Sequence, residues 1–268
     1  MVDAGVDALS DASIDGTPLN CPATAPVQSG QAADLELGQP GFTSGGANNP
    51  FRSGSSFSVT WGLFADGTRL WVGDSGNSRV LQWNSFPGVN GQSASIAIGQ
   101  ADLINATSGT TQDRLASGGF IAKAGTKLVV SDGLNNRVLI WNSIPTTTGQ
   151  PADLVLGQTG FTTKVTGNSA SSMYSPQGVW TDGTHLIVVD RFNNRVLIWN
   201  TIPRSNFAPA DLVIGQKDFT TFVEPDLTKT RVEAKQDNML TPVSVTSDGT
   251  RMVVSDLGHN RVRSESVV

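Results

Sequence analysis

The chain holds one cysteine, two histidines and one tyrosine in 268 residues. A single cysteine, Cys21, permits no internal disulfide. His185 and His259 have no partner at zinc-ligand spacing, and neither joins a serine in a nucleophile-elbow sequence. No glycine-rich phosphate loop occurs. No apolar run reaches the roughly 18 residues that a transmembrane helix needs. Charged side chains are 15% of the chain, 18 basic against 23 acidic. Asp3, Asp7, Asp11 and Asp15 fall in the first 30 residues, which carry no Lys or Arg, so the remainder is near neutral. Without a basic stripe, nucleic-acid binding is excluded as an expectation.

Residues 1–30 are rich in Asp, Ala, Ser, Pro and Gly and lack the apolar density that ordering requires. They are expected to form a mobile acidic tail before a folded domain over 31–268. The tail has no apolar signal core. It is similar to the acidic linkers that follow the signal of some bacterial exported proteins, which implies an extracytoplasmic location.

What is present is turn chemistry and repetition. The 29 glycines punctuate short apolar runs. "NNRVLIWNSIP" at 135–145 returns as "NNRVLIWNTIP" at 193–203 and precedes itself as "NSRVLQWNSFP" at 77–87. Asp74, Asp132 and Asp190, each closing an apolar run, are 58 residues apart, and Asp256 follows after 66. Before each comes a turn such as Asp182-Gly183-Thr184; after each come Asn, Arg-Val and a strand. "DLELG", "SIAIG", "DLVLG" and "DLVIG" complete the unit. Four short strands per unit, the middle two apolar at nearly every position, indicate sheets buried on both faces. Tandem sheets of this kind predict an all-β fold, a β-propeller of about four four-stranded blades. The ring is expected either to be closed by residues 32–38, as the last strand of the final blade, or to be incomplete. The fourth copy keeps His259-Asn260-Arg261-Val262 and then places Glu265 where Trp83, Trp141 and Trp199 stand. That break marks the last blade as a place for self-association.

The pattern D-x-x-N-x-R-V, with Pro176-Gln177-Gly178-Val179 upstream, resembles the NHL repeat of β-propeller proteins over residues 31–262. The units here are longer, and four are present where such rings more often have six. The resemblance implies the fold and leaves the activity open.

Repetition in every blade favours a structural role for the Asp-Asn-Arg set; the sharper reading is that Asp74, Asp132, Asp190 and Asp256 hold a divalent cation such as calcium. Trp83, Trp141 and Trp199 are expected to pack between blades. Trp61, Gly119, Gln177 and Val243 are equivalent positions that differ, so they are expected near the channel entrance, with Trp180 on an innermost strand. Propeller hydrolases of the paraoxonase and gluconolactonase type hold a metal there with Asp, Asn and Glu, a set absent from these positions. Loop residues Asp113, Arg114, Asp237, Asn238, Glu224 and Asp226 are candidate substitutes. Of these, Asp113, Asp237 and Glu224, with His185, are the catalytic candidates, and Asp237 is also a metal candidate. Trp61, Gln177, Trp180, Arg114 and Asn238 are the ligand-binding candidates. Three functions follow: a binding scaffold for a small molecule, glycan or protein; a metal-dependent hydrolase of esters, lactones or phosphotriesters; or a structural assembly module.

Overall fold

A computed structural model describes residues 29–222 and 233–266. The first sheet comprises β1 (Thr60–Ala65), β2 (Leu70–Asp74), β3 (Arg79–Trp83) and β4 (Ile96–Ile98). The second comprises β5 (Ile121–Ala124), β6 (Lys127–Asp132), β7 (Arg137–Trp141) and β8 (Leu154–Leu156). The third holds β9 (Pro176–Thr181), β10 (Leu186–Asp190), β11 (Arg195–Trp199) and β12 (Leu212–Ile214). The fourth holds β13 (Pro242–Ser247), β14 (Arg251–Asp256) and β15 (Arg261–Ser266). Every sheet is an antiparallel meander in chain order. Together they form the four blades of a β-propeller. The only helical segments among the described residues are single 3-10 turns after each aligned Asp. No helix there is long and apolar enough to cross a membrane.

The blades are held by their buried faces. Trp71 and Val80 of the first blade meet Leu128, Val130, Leu139 and Trp141 of the second. Val129, Val138 and Ile140 meet Leu186, Val188, Leu197 and Trp199 of the third. Ile187, Val189 and Val196 meet Met252 and Val254 of the fourth. The three repeated tryptophans are fully buried. Each donates its indole N–H to a carbonyl nine residues on, Gln92, Gln150 and Ala208. Tight approach fixes some glycines: a Cβ on Gly118 would lie 1.7 Å from the Arg79 carbonyl oxygen.

The 3-10 turn explains the Asn pairs. The first Asn turns back, as Asn135 Nδ2 donates to Asp132 Oδ2 at 2.7 Å. The residue after the turn is left-handed, with φ of 53° at Ser78 and Asn136, 55° at Asn194 and 52° at Asn260. Asn tolerates that region better than most side chains.

The fourth copy continues as a strand despite Glu265: β15 runs for six residues through Arg263 and Glu265. Of the two arrangements expected for the ring, closure by residues 32–38 is not the one found, since they do not pair with β15. The Glu36 amide donates to Asn90 Oδ1, the Glu36 carbonyl accepts from Gly91, and Leu37 packs against the first blade. The segment is therefore anchored on the first blade. The innermost strands β1, β5, β9 and β13 neighbour one another in order, but β13 does not pack against β1 in the same way. The ring is open between the fourth and first blades.

Candidate functional site

The aligned aspartates are fully buried, one per blade. In the second blade, Asp132 Oδ1 accepts from the Ala116 and Ser117 amides and Oδ2 accepts from Asn135 and Arg137. Asp74 and Asp190 repeat the scheme with Arg79 and Arg195. Asp256 does so with Arg261, His259 taking the Asn position. Burial pushes the Asp132 and Asp190 carboxyls above their ordinary value, against the pull of the facing arginines and amide donors. Both oxygens of each carboxylate are thus engaged by N–H donors, and the four sit in separate blades. Among the described residues no three His, Cys, Asp or Glu side chains converge as a metal site.

The arginines staple the long loops rather than neighbouring sheets. Arg137 donates to the carbonyls of Thr110, Thr111, Arg114 and Phe161 as well as to Asp132. Arg261 likewise holds Lys235 and Asn238. The loop candidates belong to these straps. Asp113 accepts from Thr111, Arg114 donates to Gln100, Asn238 donates to Glu233, and Asp237 is exposed. None of them lines either of the cavities described below. His185 bonds Asp182 at 2.8 Å in the β9–β10 turn, at the opposite end of β10 from Asp190. Glu224 and Asp226 lie outside the described residues.

The equivalent positions that differ do come together. Trp61, Gly119 and Gln177 line a recess of about 220 Å³ with Phe120, Ser131 and Arg191. Val243, Trp61 and Arg191 line an adjoining cleft of about 500 Å³ that opens between the first and fourth blades. Trp61 is 44% exposed and meets Phe120 edge to face at 6.4 Å. Arg191 lies over the Phe192 ring, 4.9 Å from its centroid. It forms no ion pair among the described residues. Two residues that line the recess each keep a buried polar atom without a partner behind its surface, Gln177 Oε1 and Arg191 Nε. A buried polar atom without a hydrogen bond is costly and calls for a ligand or water. Trp180, by contrast, is in the core between blades three and four, and does not line the recess.

Arg191 was not singled out by its motif. Its signal is positional: it follows the aligned Asp, where the other copies have Ser75, Gly133 and Leu257. The same turn exposes Leu134, Phe192 and Leu257, so it sets variable apolar groups and the Arg191 cation around the recess and cleft.

No family model and no curated protein matches the chain. Among solved structures it is similar to the computationally designed Ika8 protein, at 9% identity and TM-score 0.43 over 78% of this chain and 46% of that one. It is similar to virginiamycin B lyase from Staphylococcus aureus at 10% identity and TM-score 0.38, over 79% of this chain and 58% of that one. It is also similar to glutaminyl cyclase of Myxococcus xanthus at 14% identity and TM-score 0.42, over 78% and 74%. The chain spans about half the length of the first two.

Proposed function

We propose that the protein is a binding scaffold whose channel mouth takes a small planar molecule bearing a carboxylate. The observation that carries this is the meeting of Arg191 and Gln177, each with an unpartnered buried atom, in the lining of a recess walled by Trp61 and Phe120. A guanidinium favours a carboxylate by charge and fork geometry. Gln177 Oε1 accepts one donor from the ligand, and the aromatic rings take a flat apolar body. A recess of about 220 Å³ is below the usual range for drug-sized ligands, which favours a single ring over a folded peptide. Within this reading the chain is an NHL-like bacterial propeller that works outside the cytoplasm.

Ligand-observed NMR with benzoate, a uronic acid and an acetylated amino acid tests it. Binding of the aromatic acid, lost in Arg191→Ala and weakened in Gln177→Ala, supports the reading. Preference for the uronic acid would redirect it to glycans. An ester or phosphotriester panel run with calcium, manganese and EDTA separates binding from hydrolysis. Turnover abolished by EDTA would replace the scaffold by the metal-dependent enzyme.

A further inference from the structure

The two ends of the open ring are complementary in shape, register and charge. In the three complete blades Val80, Val138 and Val196 pair with Ile98, Leu156 and Ile214 of the outermost strand. The next pair is Leu81 with Ala97, Leu139 with Val155, and Leu197 with Val213. The fourth blade has β15 and no outer strand among the described residues. The first blade carries the reverse, an outer-strand sequence without its sheet. The Glu36 carbonyl accepts from Gly91, as the Ala97 carbonyl accepts from Gly149 and the Val155 carbonyl from Phe207. Residues 34–38 thus occupy the place of a preceding blade's fourth strand.

Carrying the register across sets Val262 opposite Leu37, Ser264 opposite Leu35, and Arg263 opposite Glu36. Where the complete blades have apolar pairs, the two open ends present opposite charges. Directly opposed charges of unlike sign stabilise a strand pair. Glu36 Oε2 is buried without a hydrogen-bond partner. The blade faces match as well. Val262 is 70% exposed where Val80, Val138 and Val196 are fully buried by the next blade. Leu63 is 70% exposed where Ile121 and Val179 are 5% and 6% exposed under the preceding blade. Among the described residues, the fourth blade is therefore uncovered on its following side and the first blade on its preceding side.

We propose that a second copy of this chain fills the gap, head to tail. Residues 34–38 of one copy pair with β15 of the other, and the uncovered face of the fourth blade packs on the first blade of its partner. Two such contacts close a two-fold ring without free ends. The occupant is a second copy because each end is held in its own place: residues 34–38 by Asn90 and Gly91, and Arg263 by Glu265 and the carbonyls of Gln236 and Asn238, so that Glu36 of the second copy adds to an existing ion pair.

Cross-linking tests this in the full chain. With Cys21→Ser, Glu36→Cys and Arg263→Cys, mild oxidation should give a covalent dimer on non-reducing electrophoresis. A cross-link confined to one chain would show that the ring closes on itself, and no cross-link would show that the ends do not meet; either overturns the proposal. Light scattering on the unaltered chain should give twice 28.1 kDa. A monomer at every concentration overturns it independently of the cysteine variants. Glu36→Lys should weaken association about tenfold, since both contacts lose their pair. Adding Arg263→Glu should restore it.

Discussion

Replacing Arg137 by alanine is expected to cost about 3–5 kcal/mol, because it leaves a buried carboxylate without its cation. Asp132 is fully buried and would keep only the amide donors of Ala116, Ser117 and Asn135. The carbonyls of Thr110, Thr111, Arg114 and Phe161 would lose their shared donor together. Each loss alone is worth about 1 kcal/mol, more to a charged donor. Since a domain has about 5–15 kcal/mol in hand, the variant should be near its limit of stability. Urea unfolding followed by tryptophan fluorescence measures the change. Arg69→Ala is the control: its pair with Asp66 is 3.6 Å long and its side chain is 38% exposed, so about 0–1 kcal/mol is expected. If both variants cost the same small amount, the arginines are not what fastens the long loops to the blades, and the reasoning fails.

Gly118→Ala should destabilise by about 3 kcal/mol or more, since its Cβ would meet backbone at 1.7 Å and force the first and second blades apart; calorimetry checks this, and an unchanged melting temperature would contradict it. The turn aspartates predict a pH dependence. Burial pushes the Asp66 and Asp182 carboxyls up but is outweighed by hydrogen bonds from Arg69 and Lys123, and from His185, so both lie below their ordinary value of 3.8. Hydrogen bonds from Thr221 and Thr220 hold Asp218 down at about 2. A depressed folded value means that the stability these groups contribute is present above 3.8 and lost as pH falls through the folded values. The stability of Asp66→Asn with Asp182→Asn should therefore depend less steeply on pH in that acidic window than the parent, by denaturant titration at each pH.

The blades were legible because each repeats the same local chemistry: a Gly turn, two fully apolar strands, and an Asp-Asn-Arg turn that forces the left-handed residue. Phasing on Asp74, Asp132, Asp190 and Asp256 also singled out Trp61, Gly119, Gln177 and Val243, which line the recess and its adjoining cleft. Their role rests on the chemistry of those cavities. Other features depend on contacts that no repeat announces. Trp71 and Gln82 break the apolar pattern, yet they satisfy each other by a 2.7 Å hydrogen bond in the core. Arg191 stands at one position in one blade, so repetition hides it. The anchoring of residues 34–38 depends on Asn90 and Phe57, which lie far along the chain. The persistence of β15 depends on pairing with β14, which outweighs the charged side chains it carries.

Whether a small carboxylate binds between Trp61 and Arg191 can be seen in a crystal structure with benzoate present at a concentration that saturates the NMR signal. Density for the acid is expected with its carboxylate on the Arg191 guanidinium and its ring against Trp61 and Phe120. An acid bound elsewhere, with only water between Arg191 and Gln177, would contradict it.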